Sequence, residues 1–283
     1  MVNYIKVFYK FYLSLSKTEQ IGGLIVVFII SISIFSPILV THDPLQQSMM
    51  ERNQSFSFKH ILGTDKFGRD IYSRLIIGSR YTLFITLTAL LFAAIIGQLI
   101  GLLAAYTRGR LFDNFVVWFI DVFMTFPTLL LGVIIVAIFG HDLINVAIAI
   151  SIAFLPRLTR MARGVAMNVV INDYVEAANA IGASTTRIIL VHLLPNIINE
   201  MAVITTLWMG TAIQVETSLS FLGLGVQPPH PSWGLMIREG IGDLYINPWS
   251  SMIPAISILI TILGFNMLAD GLQEKINPTM KNK

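Results

Sequence analysis

Residues 173–195 read DYVEAANAIGASTTRIILVHLLP, and the rest of the chain is understood from this stretch outward. Long apolar blocks lie on both sides of it, yet here the chain turns polar and is punctuated for short helices. Asp173 is an N-cap residue type, and Glu176 follows at the spacing of a capping box, with Asp in place of Ser or Thr. Tyr174, Ala178 and Ile181 then fall on one face of a helix of about two turns. Gly182 suits the left-handed residue that ends such a helix. Ser184 is placed to cap a second helix through Thr185–Leu194, which Pro195-Asn196 is expected to break. Ala177 and Ala178 leave little bulk, so another surface can approach the backbone closely. The segment carries no catalytic groups. It is either a helix offered to the groove of a soluble partner or an interfacial helix that closes a membrane bundle.

The surrounding blocks define an all-α polytopic membrane protein. Of 283 residues, 55% are hydrophobic and 12% charged, against about 25% charged in soluble domains. Apolar runs of about 20 residues match the hydrocarbon thickness of a bilayer. Six transmembrane helices are expected near Ile21–Val40, Tyr81–Ala105, Phe115–Phe139, Val146–Met161, Ile197–Leu219 and Met252–Ala269. Lys6, Lys10 and Lys17 before the first run give it the look of a signal peptide. Its length and the poor cleavage site around Ser36-Pro37 make it a retained anchor. The absence of cysteine excludes disulfides, thiolate ligands, a cysteine nucleophile and a lipid-modified cysteine. A net charge of +3, thinly scattered, gives no reason to expect a nucleic-acid partner.

Basic residues set the expected orientation. With the N-terminus inside, the inner segments hold Lys6, Lys10, Lys17, Arg108, Arg110, Arg157, Arg160, Arg163, Arg187, Lys275, Lys281 and Lys283, which is 12 of the 19 basic residues. The outer segments keep Arg52, Lys59, Lys66, Arg69, Arg74, Arg80 and Arg238. Both termini are therefore expected in the cytoplasm, together with residues 173–195.

Three stretches carry a resemblance. The spacing of Glu176-Ala177-Ala178, Gly182 and Leu194-Pro195 resembles the EAA loop of permease subunits of bacterial ABC importers, with His192 standing where an aliphatic residue is usual. Gly63-Thr64-Asp65-Lys66-Phe67-Gly68-Arg69-Asp70, Ser73-Arg74 and Gly78-Ser79-Arg80 look like the GTDxxGRDxxSRxxxGxR stretch of the dipeptide/oligopeptide/nickel branch. Read physically, Thr64 or Asp65 can cap a short helix there, and Asp65–Arg69 and Asp70–Arg74 are pairs at four-residue spacing that solubilise an outer loop. Ser220–Pro229 with Pro231-Ser232-Trp233-Gly234 is the third matching stretch. Its Gly and Pro density should end the fifth span, and Trp233 and Trp249 are read as belt residues at the outer interface.

The resemblance, to the C-type permease subunit, implies a type I ABC importer permease fold on a bacterial inner membrane. It implies a cytoplasmic segment 1–20, an anchor 21–40, an extracytoplasmic loop 41–80, a transmembrane domain 81–271 with a coupling loop at about 162–196, and a tail 272–283. Implied partners are a homologous second permease, two cytoplasmic ATPase subunits, an extracytoplasmic substrate-binding protein and the lipid bilayer. ATPase coupling would fall to Asp173, Glu176, Ala177, Ala178, Gly182, Leu194 and Pro195. The branch handles di- and oligopeptides, with nickel or a metal chelate as the alternative cargo.

The residues agree that the chain is no enzyme. It has no GxxxxGK[ST] loop for ATP, no HExxH and no GxSxG, and nothing calls for a cofactor. His42, His60, His141, His192 and His230 sit in different loops and are expected to be solvated, with no metal site among them. A GxxxG at Gly97 and Gly101 permits close helix packing without naming the partner helix. Asp121 should pair with Arg157 or Arg160, and Pro127 should bend the third span. In the fifth span Gln214 and Glu216 are candidate gate or path residues, the alternative being hydrogen bonding between helices. An intramembrane enzyme lacks the required side chains, and a plain membrane anchor or scaffold would account for the spans but not for the three stretches.

Overall fold

The computed structural model describes residues 16–276. Residues 1–15 and 277–283, with Lys6, Lys10, Lys281 and Lys283, lie outside the described residues. Besides two single-turn 3-10 helices (Met49–Glu51 and Ile241–Asp243), the described chain runs through nine longer helices: α1 (Lys17–Leu39), α2 (Ile71–Tyr106), α3 (Leu111–Met124), α4 (Thr128–Phe139), α5 (Leu143–Val170), α6 (Asp173–Ala180), α7 (Thr185–Leu222), α8 (Trp233–Gly240) and α9 (Trp249–Ile276). Five of these, α1, α2, α5, α7 and α9, are long and apolar enough to cross a membrane.

The third expected span is not one helix. It is α3 and α4, which meet at 93° and make a sixth span only if counted together. Pro127, whose ring fixes φ and removes a donor, stands at the break as the first residue before α4.

The other spans exceed their apolar runs, because polar ends are capped or paired instead of solvated. Ser16 and Glu19 form a reciprocal capping box at the start of α1, with Ser16 N donating to Glu19 Oε2 at 2.6 Å. Asp70 caps α2 by accepting from Ser73 N at 2.8 Å. The helix thereby starts ten residues before Tyr81, and the short helix expected after Thr64 or Asp65 is instead a turn in which Asp65 Oδ1 accepts from Phe67 N and Arg69 N at 2.8 and 3.0 Å. At the far end of α5, Arg157 bonds Thr128, Arg160 pairs with Asp121 as expected, and Arg163 grips Asp113 at 2.6 and 3.0 Å.

The bundle is built around α2. Its most extensive partner is α5, and the GxxxG pair supplies the approach. A Cβ on Gly101 would stand 2.7 Å from Thr159 O and 2.8 Å from Ala162 Cβ, too close for any side chain. Leu83, Leu90, Leu102, Ile150, Phe154, Leu158, Ile197 and Leu219 fill the interior. α1 packs on α9 and α2. Phe28, Phe84, Phe92, Ile138 and Leu259 remain exposed around the outside, an apolar surface suited to lipid.

Residues 40–70 fold over one end of this bundle and are far from a merely soluble loop. Arg69 Nε meets Asp65 at 2.7 Å as the spacing suggested, but the second expected pair is absent. Arg74 instead reaches Glu239 of α8 at 2.8 Å, and Arg69 Nη2 meets the same carboxylate oxygen at 2.7 Å. Asp70 is unavailable to Arg74 because it caps α2 and holds His60. Trp233 is also no belt residue. It is buried beneath this end, its Nε1 donating to Leu75 O at 3.0 Å, whereas Trp249 stays 44% exposed.

Candidate coupling elbow and membrane cavity

Residues 171–196 form an elbow between α5 and α7. Asn172 is the N-cap of α6; its carbonyl accepts from Val175 N at 2.9 Å and its side chain makes no cap bond. Asp173 is thus the first helical residue and not the cap, and the expected reciprocal bond to Glu176 does not form. Both carboxylates still sit in the first turn, where the helix dipole favours negative charge. They are exposed and free of bonds within the described chain.

Gly182 behaves as expected. Its φ is +79°, Ala183 N bonds Ala178 O at 3.0 Å, and Gly182 N bonds Asn179 O at 3.0 Å. This pair of bonds is a Schellman motif. Ser184 then accepts from Arg187 N at 3.4 Å and starts α7.

Pro195 does not break α7. Residues Ile188–Leu193 widen into a π-helical segment, with Leu194 N bonding Ile189 O, and the helix runs on to Leu222. A proline inside an α-helix clashes with the carbonyl four residues back. Adding one residue to the turn relieves that clash, and π-segments of this kind recur at functional sites.

The elbow's apolar residues divide in an unexpected way. Val175 and Ala178 are the buried ridge of α6, while Tyr174 is 43% and Ile181 86% exposed. Ile171, Leu190 and Val191 are exposed as well, and so are Ala177 and Pro195, with Leu194 partly covered. Tyr106 OH at the end of α2 donates to Asn179 at 2.6 Å, tying the elbow directly to a long span.

On another face of α7 lies an open cavity of about 400 Å³, lined by Met161, Glu200, Leu207, Trp208, Thr211 and Gln273 among others. Arg157 stands over the Trp208 ring, 5.5 Å from its centroid. Gln214 is exposed one turn beyond Thr211 on this side. Glu216 does not share that face. Two residues on, it is turned by about 200° and is fully buried, its Oε1 accepting from Ser220 Oγ at 2.8 Å. The structure therefore separates the two candidate gate residues. Sequence reading missed Glu200, Trp208 and Gln273, whose shared cavity depends on how α5, α7 and α9 are placed.

His141 and His230 are exposed as expected. His60 is buried, not solvated, and the fold of residues 40–70 brings His42, His60 and Asp70 together.

Comparison with known proteins bears on the whole architecture. A family model described as the binding-protein-dependent transport system inner membrane component matches residues 97–282. The dipeptide transport system permease protein DppC of Alkalihalophilus pseudofirmus is 38% identical over 94% of this chain and 88% of its own length. The glutathione transport system permease protein GsiD of Pectobacterium atrosepticum is 36% identical over 92% of this chain and 87% of its own. Among solved structures, a chain of the MetNI methionine ABC transporter, captured facing inward, superposes with a TM-score of 0.59 at 18% identity. That match covers 72% of this chain and 96% of that one, and it supports the fold alone.

Proposed function

The chain belongs to the family of binding-protein-dependent transport system inner membrane components, and from that premise we propose that it forms half of a peptide import pathway driven through residues 173–195. It is a multi-pass permease subunit of an ABC importer, and ATP chemistry belongs to other chains. Peptide cargo is favoured because the relatives named above serve dipeptide and glutathione transport. The assembly proposed has a homologous second permease, two ATPase subunits under the elbow and a binding protein at the opposite end. The elbow and both termini lie in the cytoplasm.

One observation carries the coupling role. Tyr174, Ile181, Leu190 and Val191 present apolar surface at a turn that is otherwise polar, and a surface of that kind is made to be covered. Beside it stand the unpaired carboxylates of Asp173 and Glu176 and the small Ala177. An ATPase groove that closes on this face would push α6 and α7 together. The Tyr106–Asn179 bond and the continuous α7 would carry the push into the spans. The cavity beside Trp208 and Gln214 is then the part of the path this subunit lines, with Glu216 serving packing.

Gly182→Val tests the coupling. A β-branched residue at φ +79° is strained, yet a Cβ there meets nothing within 4 Å, so the spans should insert and pair normally. Transport in proteoliposomes should fall sharply, and ATP hydrolysis should lose its stimulation by loaded binding protein. Wild-type transport with full stimulation would leave 173–195 as an interfacial helix. A metal chelate in the purified binding protein would redirect the cargo from peptide to metal.

A further inference from the structure

Between α1 and α2 lies a polar cluster that neither the spans nor the elbow uses. Asp70 is 2% exposed. One of its oxygens accepts from Ser73 N as the helix cap, and the other, Oδ1, stands 2.9 Å from His60 Nδ1. His42 Nδ1 is 3.9 Å from that same Oδ1, and the two imidazole rings lie 4.7 Å apart, centroid to centroid. Each of the three side chains offers one ligand atom, all within 4.8 Å of one another.

A carboxylate so deeply buried needs a cation beside it. The neighbouring guanidinium groups are engaged elsewhere, Arg69 with Asp65 and Glu239 and Arg74 with Glu239. Lys59 is held by Glu51, and that bond keeps the Glu51 carboxyl below the usual carboxylate range. Asp70 therefore faces two imidazoles and no permanent positive charge. His60 adds a second buried polar group that its neighbours leave unsatisfied. It is 3% exposed, and its Nε2 is buried without a hydrogen-bond partner, 3.7 Å from Glu51 Oε2.

We propose that His42, His60 and Asp70 form a site for a late first-row divalent cation, zinc foremost. Two imidazole nitrogens and one carboxylate oxygen, without sulfur, are a ligand set that zinc accepts. Ligand atoms bound tetrahedrally at about 2.0–2.1 Å from zinc lie roughly 3.3–3.4 Å apart. The two nitrogens stand 2.9 and 3.9 Å from Asp70 Oδ1, and all three ligand atoms lie within 4.8 Å of one another, so the partly exposed His42, whose Nδ1 now bonds Thr41 Oγ1 at 3.0 Å, has to turn inward to complete the geometry. The ion takes the place of the proton between His60 Nδ1 and Asp70 Oδ1, and that single imidazole proton moves to Nε2. There it points toward Glu51, which gives the orphaned nitrogen its carboxylate partner.

The site is prebuilt by its neighbours. Ser73 Oγ accepts from His42 N at 3.1 Å, and Ser57 Oγ accepts from His60 N at 3.0 Å. A bound ion would clamp the segment after α1, the turn at residue 60 and the first turn of α2 to one point.

The test uses the full chain, purified in detergent without a polyhistidine tag and stripped by a chelator. Cobalt(II) added to it should bind one equivalent per chain with a visible absorption band, and zinc should displace it. His42→Gln and His60→Gln should each weaken zinc binding by about tenfold or more, while His141→Gln and His230→Gln bind as the wild type does. Zinc should raise the Tm of the wild type and of those two controls only. His42 is 31% exposed, so its variant is expected to fold whatever happens to the buried His60. Saturable binding that survives both His42→Gln and His60→Gln would place the ion elsewhere and overturn the proposal. A wild type that binds no zinc at micromolar concentration would overturn it too.

Discussion

Replacing Glu239 with alanine should be among the most damaging single changes at the α8 end of the bundle. Its carboxylate faces Arg69 at 2.7 Å and Arg74 at 2.8 Å, and these arginine side chains are only 6% and 2% exposed. With Asp65 the four groups sum to zero charge. Removing Glu239 leaves two buried guanidinium groups with one carboxylate between them. Breaking a buried pair in this way costs about 3–5 kcal/mol, because the remaining charge stays desolvated. The Asp121–Arg160 pair provides the contrast, with side chains 60% and 46% exposed. Asp121→Ala should cost no more than about 1 kcal/mol. Reversible unfolding in mixed detergent–dodecyl sulfate micelles measures both. Glu239→Gln keeps the shape but not the charge, and should lose nearly as much stability as the alanine variant. If Glu239→Ala cost no more than Asp121→Ala, or if Glu239→Gln were neutral, charge compensation would not be what holds α8 to the start of α2.

Two other outcomes can be checked directly. Gly101→Val puts a branched side chain where even a Cβ would stand 2.7 Å from Thr159 O, so α2 and α5 must separate; unfolding free energy should fall by about 1–3 kcal/mol or more, whereas Gly164→Ala, with nothing within 4 Å of its Cβ, should be close to neutral. The absence of native cysteine makes topology testable as well: single cysteines at the exposed Phe58 and Tyr245 should react with an impermeant thiol reagent in intact cells, and cysteines at Gly109 and Ser184 only after the membrane is opened, the reverse order overturning the proposed cytoplasmic elbow.

Much of the molecule was legible because a bilayer imposes its demands locally. A run of apolar residues must span or be buried wherever it occurs, so the long helices were found from composition, with ends short by the polar turns that capping and pairing absorb. Gly182 was legible for the same reason, since a left-handed residue between two short helices is a property of a few neighbouring residues. Pro195 misled, because its local signal is to stop a helix, and only the widened turn before it shows how the chain continues. What the sequence could not decide was partner choice. Arg74 had a carboxylate four residues away in Asp70 and another 165 positions away in Glu239. The near one was already committed to the cap of α2 and to His60, and packing α8 onto that helix brought the far one within 2.8 Å. The separation of Gln214 from Glu216, the cavity beside Trp208 and the meeting of His42 with His60 and Asp70 are of the same kind. Helical and apolar preferences act over a few residues and are written along the chain; buried polar groups satisfy themselves with whatever the packed helices bring near, and that is settled only in three dimensions.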